Sequence, residues 1–128
     1  MKKEYRVKKS KEIETIMKKG VSKSNPYFII YKYRNPNYEN FRIAISVGKK
    51  IGIAVTRNQV KRRIRAITNE YKHQIDPNYD YFIIVRKGVE NLDYKDFQIK
   101  LEQVYRKMNI LPKQKDQHIS TSNNPAKP

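Results

Sequence analysis

The chain has 128 residues, 38% of them hydrophobic, which suffices for one packed core and is too little for two. Lys and Arg number 29 against 12 Asp and Glu, a formal charge of +17, so the surface repels itself unless anions screen it. Without cysteine, disulfides, thiolate metal sites and thiol nucleophiles are excluded. The longest apolar runs, 27–31 and 81–85, are five residues each, too short to export the chain or to span a membrane, and a cytoplasmic protein is expected.

In chain order, Ser10 is placed to cap a short amphipathic helix whose Ile13, Ile16 and Met17 share a face, with Gly20 at the position of a left-handed terminator. Residues 27–34 and 41–47 are rich in β-branched and aromatic side chains and are separated by the turn-forming stretch 35–40, which predicts two antiparallel strands. In the second, Phe41, Ile43, Ile45 and Val47 alternate with Arg42, Ala44 and Ser46. One face is therefore core and the other is left for a partner or a helix.

From residue 57 to about 73 the period becomes helical: Val60, Ile64, Ile67 and Tyr71 fall within an arc of about 60°. Residues 79–86 are a nearly continuous apolar run between turn residues, as a strand inside a sheet requires. Asp93 is placed to cap a last helix carrying Phe97, Leu101, Val104, Tyr105 and Met108, which Pro112 ends at the latest. The segment 112–128 holds too little apolar surface to offset its ordering entropy, so a single domain over 1–111 and a disordered tail are expected. The class is α+β, helix, strand, strand, helix, strand, helix, with room for one further short strand that periodicity does not resolve.

Charge is segregated along this order. Between Asn40 and Asn69 there is no Asp or Glu, while Arg42, Lys49, Lys50, Arg57, Lys61, Arg62, Arg63 and Arg65 supply eight positive charges. On the central helix Arg57, Lys61, Arg65 and Lys72 lie within an arc of about 80°, Arg62 lies just beyond, Asn58 and Asn69 lie between, and Arg63 alone points away. Like charges at i, i+4 weaken a helix unless a counterion lies along them, and a solvated face ordinarily mixes signs, so a polyanion is the expected partner. The ten tyrosines are mostly core with hydroxyls at the rim. Tyr31, which shares a strand face with Tyr27, Ile29 and Tyr33, is the one expected to meet an unpaired base.

The run KKIGIAVTRNQVKRRIR at residues 49–65, preceded by FRIAISV at 41–47 and supported by Lys8-Lys9, Gly20 and residues 81–86, resembles the signature of the bacterial ribonuclease P protein component. The similarity runs from about residue 5 to about residue 108. The resemblance implies a subunit of the ribonucleoprotein that removes the 5′ leader from precursor tRNA, with the RNA subunit holding magnesium and performing cleavage, and no protein catalytic residue. It implies that Lys49, Lys50, Arg57, Asn58, Lys61, Arg62 and Arg65 engage the catalytic RNA, and that Ile13, Met17 and Tyr31 line a cleft for the leader. It further implies the order helix, three strands, helix, strand, helix, in a small mixed sheet with helices packed on it, like the second domain of a small-subunit ribosomal protein. The crossover between parallel strands around the signature helix is then left-handed, against the general preference. Two features depart from the family pattern: Gln59 replaces a second arginine, and Ile13 and Met17 replace aromatic residues of the cleft.

Two other readings compete. A protein-catalysed nuclease would need general acids or bases such as His73 and His118, or carboxylates to hold metal. Asp76, Asp80, Asp93 and Asp96 sit instead near turns and helix starts, where capping explains them. A different basic RNA-binding module, such as a ribosomal protein, accounts for the charge equally well.

Overall fold

The computed structural model describes residues 3–36 and 39–110. Its elements are α1 (Ser10–Lys19), β1 (Val21–Ser24), β2 (Phe28–Arg34), β3 (Arg42–Val47), α2 (Ala54–Glu70), β4 (Tyr79–Val85) and α3 (Tyr94–Lys107), with single 3-10 turns at Lys3–Tyr5, Lys49–Ile51 and Val89–Asn91. The expected tail lies outside the described residues. No described helix is long and apolar enough to cross a membrane.

The sheet order is β1-β2-β4-β3, with β2 antiparallel to both β1 and β4, and β3 parallel to β4. Strands β2 and β3 run in opposite directions as expected, but they are not hydrogen-bonded neighbours. β4 stands between them, because its run of apolar residues is buried on both faces and needs a partner on each edge. The extra strand that periodicity leaves open is β1, a polar edge strand paired only with β2.

Alternation divides the sheet into two unequal faces. Phe28, Ile30, Ile43, Tyr81, Ile83 and Val85 form the main core with Val60, Ile64 and Ile67 of α2 and Phe97, Leu101, Val104 and Tyr105 of α3. The Thr68 and Tyr105 hydroxyls hydrogen-bond to each other inside it, so the polar atoms that join α2 to α3 are satisfied. Burial pushes the Tyr105 hydroxyl up in pKa, and Tyr81 likewise. On the opposite face Ala44 and Phe82 meet Ile16 of α1 and Val7, with Ile13, Tyr31, Tyr33 and Ile84 partly buried around them. The smaller cluster leaves part of that face open beside α1. Tyr27 precedes β2 and leaves the face of Tyr31, packing against the main core.

Three local expectations are corrected. Ser10 is the first residue of α1 and Lys9 is at the cap position, without a side-chain cap bond. Gly20 is extended (φ −80°, ψ 169°), not left-handed. Glycine stands there because a Cβ would lie 2.5 Å from the Ile16 carbonyl oxygen and 2.6 Å from that of Lys32, where the end of α1 presses on β2. Helix α2 begins one turn earlier than residue 57. Asp93, by contrast, caps α3 as expected, its Oδ1 accepting the Asp96 N–H at 2.8 Å.

Candidate nucleic-acid interface

The basic surface is built from the inside out. Ile51, 5% exposed, anchors the 3-10 turn in the main core, which leaves Lys49 and Lys50 in solvent. Gly52 follows at φ 155°, a conformation that suits glycine, and Thr56 packs where its Cβ would be. The chain thereby turns directly into α2. Val60, Ile64 and Ile67 bury the inner seam of that helix, and Tyr71 closes its end with its hydroxyl donating to Glu102 Oε2 at 2.6 Å. Burial and that carboxylate push Tyr71 up to about 12.

With the seam inward, Asn58 and Arg62 are exposed, and Arg57, Lys61 and Arg65 are half-buried along their stems. Arg57 Nε donates to the Gly52 carbonyl at 3.1 Å, tying the stripe to the turn before it. Among the described residues Lys49, Lys50, Arg57, Lys61, Arg62 and Arg65 have no carboxylate partner.

The other two cations of the block are used internally. Arg63 turns toward α3, its guanidinium carbon 5.7 Å from the ring centroids of both Tyr94 and Phe97. Arg42, 6% exposed, donates from Nε to Asp80 Oδ1 at 3.0 Å and from Nη2 to Asp80 Oδ2 at 2.8 Å and Glu12 Oε2 at 2.9 Å. Burial opposes its charge, but the two carboxylates outweigh that and hold its pKa above the ordinary value. Asp80 is thus an ion-pair partner in β4, not the capping residue expected, and Asn35 Nδ2 donates to its Oδ2 at 2.9 Å. Through Glu12, the same arginine fastens α1 to the sheet.

Arg65 sits where the two faces of the molecule meet. It lines a hollow of about 230 Å³ with Arg6, Val7, Lys8, Ile13 and Ala44. Its Nε is buried without a hydrogen-bond partner, and burial together with the nearby Arg6 cation lowers its pKa. Arg6 and Lys8 arrive there on the N-terminal segment, which Val7 N–H ties to the Ile43 carbonyl at 2.8 Å. Sequence reading missed Arg6, since a contact with β3 leaves no periodic signal.

The cleft residues are distributed along α1 and β2. Ile13 and Tyr31 share the smaller cluster, Tyr31 with its ring 6.3 Å from that of Phe82, while Met17 is 42% exposed one turn further along α1. The other acids and His73 are occupied or solvated. Asp76 Oδ1 accepts the Asn78 N–H at 2.9 Å, Asp96 and His73 are exposed, and His118 lies outside the described residues. No group of three His, Asp or Glu that could hold a metal ion occurs among the described residues.

A mixed four-stranded sheet that carries an unbalanced cationic helix on one side and a partly open face on the other defines a small α+β polyanion-binding protein. The family model described as Ribonuclease P matches residues 1–109. A ribonuclease P protein component of Streptococcus pyogenes is 47% identical over 113 residues, covering 88% of this chain and 93% of that one. Among solved structures, a Staphylococcus aureus RNase P protein superposes with TM-score 0.80 at 36% identity, covering 84% of this chain and 97% of its own. An RNase P protein from Thermotoga maritima gives 0.70 at 29% identity, covering 79% and 96%. The chain belongs to the ribonuclease P protein component family and is a subunit of the tRNA 5′-processing endoribonuclease.

Proposed function

We propose that α2 and the turn before it bind the catalytic RNA of ribonuclease P through Lys49, Lys50, Arg57, Asn58, Lys61, Arg62 and Arg65, while the open face beside α1 receives the 5′ leader of precursor tRNA over Ile13, Met17 and Tyr31. The observation that carries this reading is the segregation itself. Six cations stand on one helix and its entry turn with no carboxylate partner among the described residues, and phosphates along them remove their mutual repulsion. The apolar and aromatic side chains beside α1 supply the other requirement, a surface on which unpaired bases can lie.

Magnesium in this reading belongs to the RNA subunit and the substrate, the protein side chains take no part in bond cleavage, and the particle works in the cytoplasm. The test is processing of labelled precursor tRNA by the RNA subunit with and without the protein, alongside binding competition between leader-bearing tRNA, mature tRNA and duplex DNA. The reading expects assembly-dependent stimulation and preference for the leader-bearing substrate. Equal affinities would instead support a general basic RNA-binding module. Cleavage by purified protein that survives RNase treatment would return the chemistry to its side chains.

A further inference from the structure

Ile53 and Val55 are 72% and 69% exposed, the most solvent-open large apolar side chains among the described residues. With Ala54, also exposed, they put three consecutive apolar residues in water where the chain enters α2. Their setting is cationic. Lys49 and Lys50 precede them, Arg57 follows within a turn, and Lys87 Nζ donates to the Lys50 carbonyl at 3.0 Å. Glu90, the acid that Lys87 meets, is engaged by it at 3.3 Å and by the Gly88 N–H at 2.8 Å.

The stability of the free protein does not explain this pair. Side chains this exposed recover little from burial. Ile53 also occupies the cap position of α2, where Ser, Thr, Asp or Asn would accept a backbone N–H, and it makes no cap bond. A second copy of the chain would bring two cationic rims together. A membrane surface calls for a longer apolar helix face than two residues. RNA, in contrast, places anionic phosphates within a few ångströms of apolar ribose edges and base faces.

We propose that Ile53 and Val55 form an apolar contact with the RNA subunit, seated on a ribose or base face while Lys49, Lys50 and Arg57 take the flanking phosphates. This rests on the assignment of α2 to the catalytic RNA. It adds a shape-dependent contact that charge alone does not provide.

The test pairs Ile53→Thr with Val55→Thr in the full chain. Val55→Thr keeps size and β-branching, and Ile53→Thr introduces a better helix cap, so the free protein is not weakened. Titrated with the RNA subunit over a range of salt, the double variant is expected to bind about tenfold more weakly with the wild-type salt slope, because no phosphate contact is lost. Lys50→Ala is expected to lower the slope. If Lys50→Ala lowers it while the double variant binds like wild type, the apolar contact is overturned and the α2 assignment stands. If wild type shows no salt-dependent binding, the assignment falls and takes this contact with it. If the double variant retains RNA affinity but loses self-association, or loses binding to phosphatidylserine vesicles, the pair serves a second copy or a membrane and the proposal is wrong.

Discussion

Replacing Asp80 with Asn removes the charge that holds Arg42 in the sheet, and the structure lets the cost be worked through. The two side chains are 4% and 7% exposed, joined by two hydrogen bonds, and neighbours in the parallel β3·β4 register. Breaking a buried pair from one side costs about 3–5 kcal/mol, since the remaining charge stays desolvated. Asn keeps one acceptor oxygen, and Glu12 still touches Arg42, so about 3 kcal/mol is expected. For a domain of this size that lowers Tm by about 10–15 °C. Urea titration followed by circular dichroism at fixed ionic strength reads the loss directly, and adding Arg42→Met to the variant recovers part of it, as a double-mutant cycle measures. Glu12→Gln, at a site 28% exposed, is expected to cost only about 1 kcal/mol. A loss below about 1 kcal/mol for Asp80→Asn, with no coupling to Arg42, refutes the argument that this pair holds the β3 and β4 ends together.

Three further outcomes are expected. Arg57→Ala and Lys61→Ala each lower the salt slope of catalytic-RNA binding by about one unit, and unchanged slopes would mean that neither side chain meets a phosphate. Tyr31→Ala weakens leader-bearing tRNA by about 1–3 kcal/mol relative to mature tRNA, while Tyr31→Phe keeps most of the affinity; equal losses on both substrates would return the ring to a packing role. Gly20→Ala destabilises the domain by about 1–3 kcal/mol because its Cβ meets two backbone carbonyls, and a raised urea midpoint would show that the contact between α1 and β2 relaxes freely.

Elements with a strong internal period are legible in the sequence alone. The seam of Val60, Ile64 and Ile67, the apolar run of β4 and the Asp93 cap each follow from a local rule, and each stands as expected. β1 was not legible because its four residues are all exposed, so no burial pattern marks it, and only pairing with β2 makes it a strand. The placement of β4 between β2 and β3, and the use of Arg42 against Asp80, depend on residues 38 or more apart in sequence, beyond what spacing can report. At the interface the helical stripe was visible, including the departure of Arg63. The meeting of Arg6 with Arg65 was not, since it depends on how the N-terminal segment lies on β3. The exposure of Ile53 and Val55 was likewise hidden, because apolar residues at a helix entry ordinarily read as core.

The position of β4 also bears on how the chain is made. A ribosome that has delivered residues only as far as Val47 has produced β2 and β3 with no ladder between them, and translation must continue through Val85 before either gains its central partner. The cationic helix therefore emerges ahead of the strand that completes its support. Until β4 is made, the core that buries Val60, Ile64 and Ile67 lacks Tyr81, Ile83 and Val85 and cannot close beneath that helix.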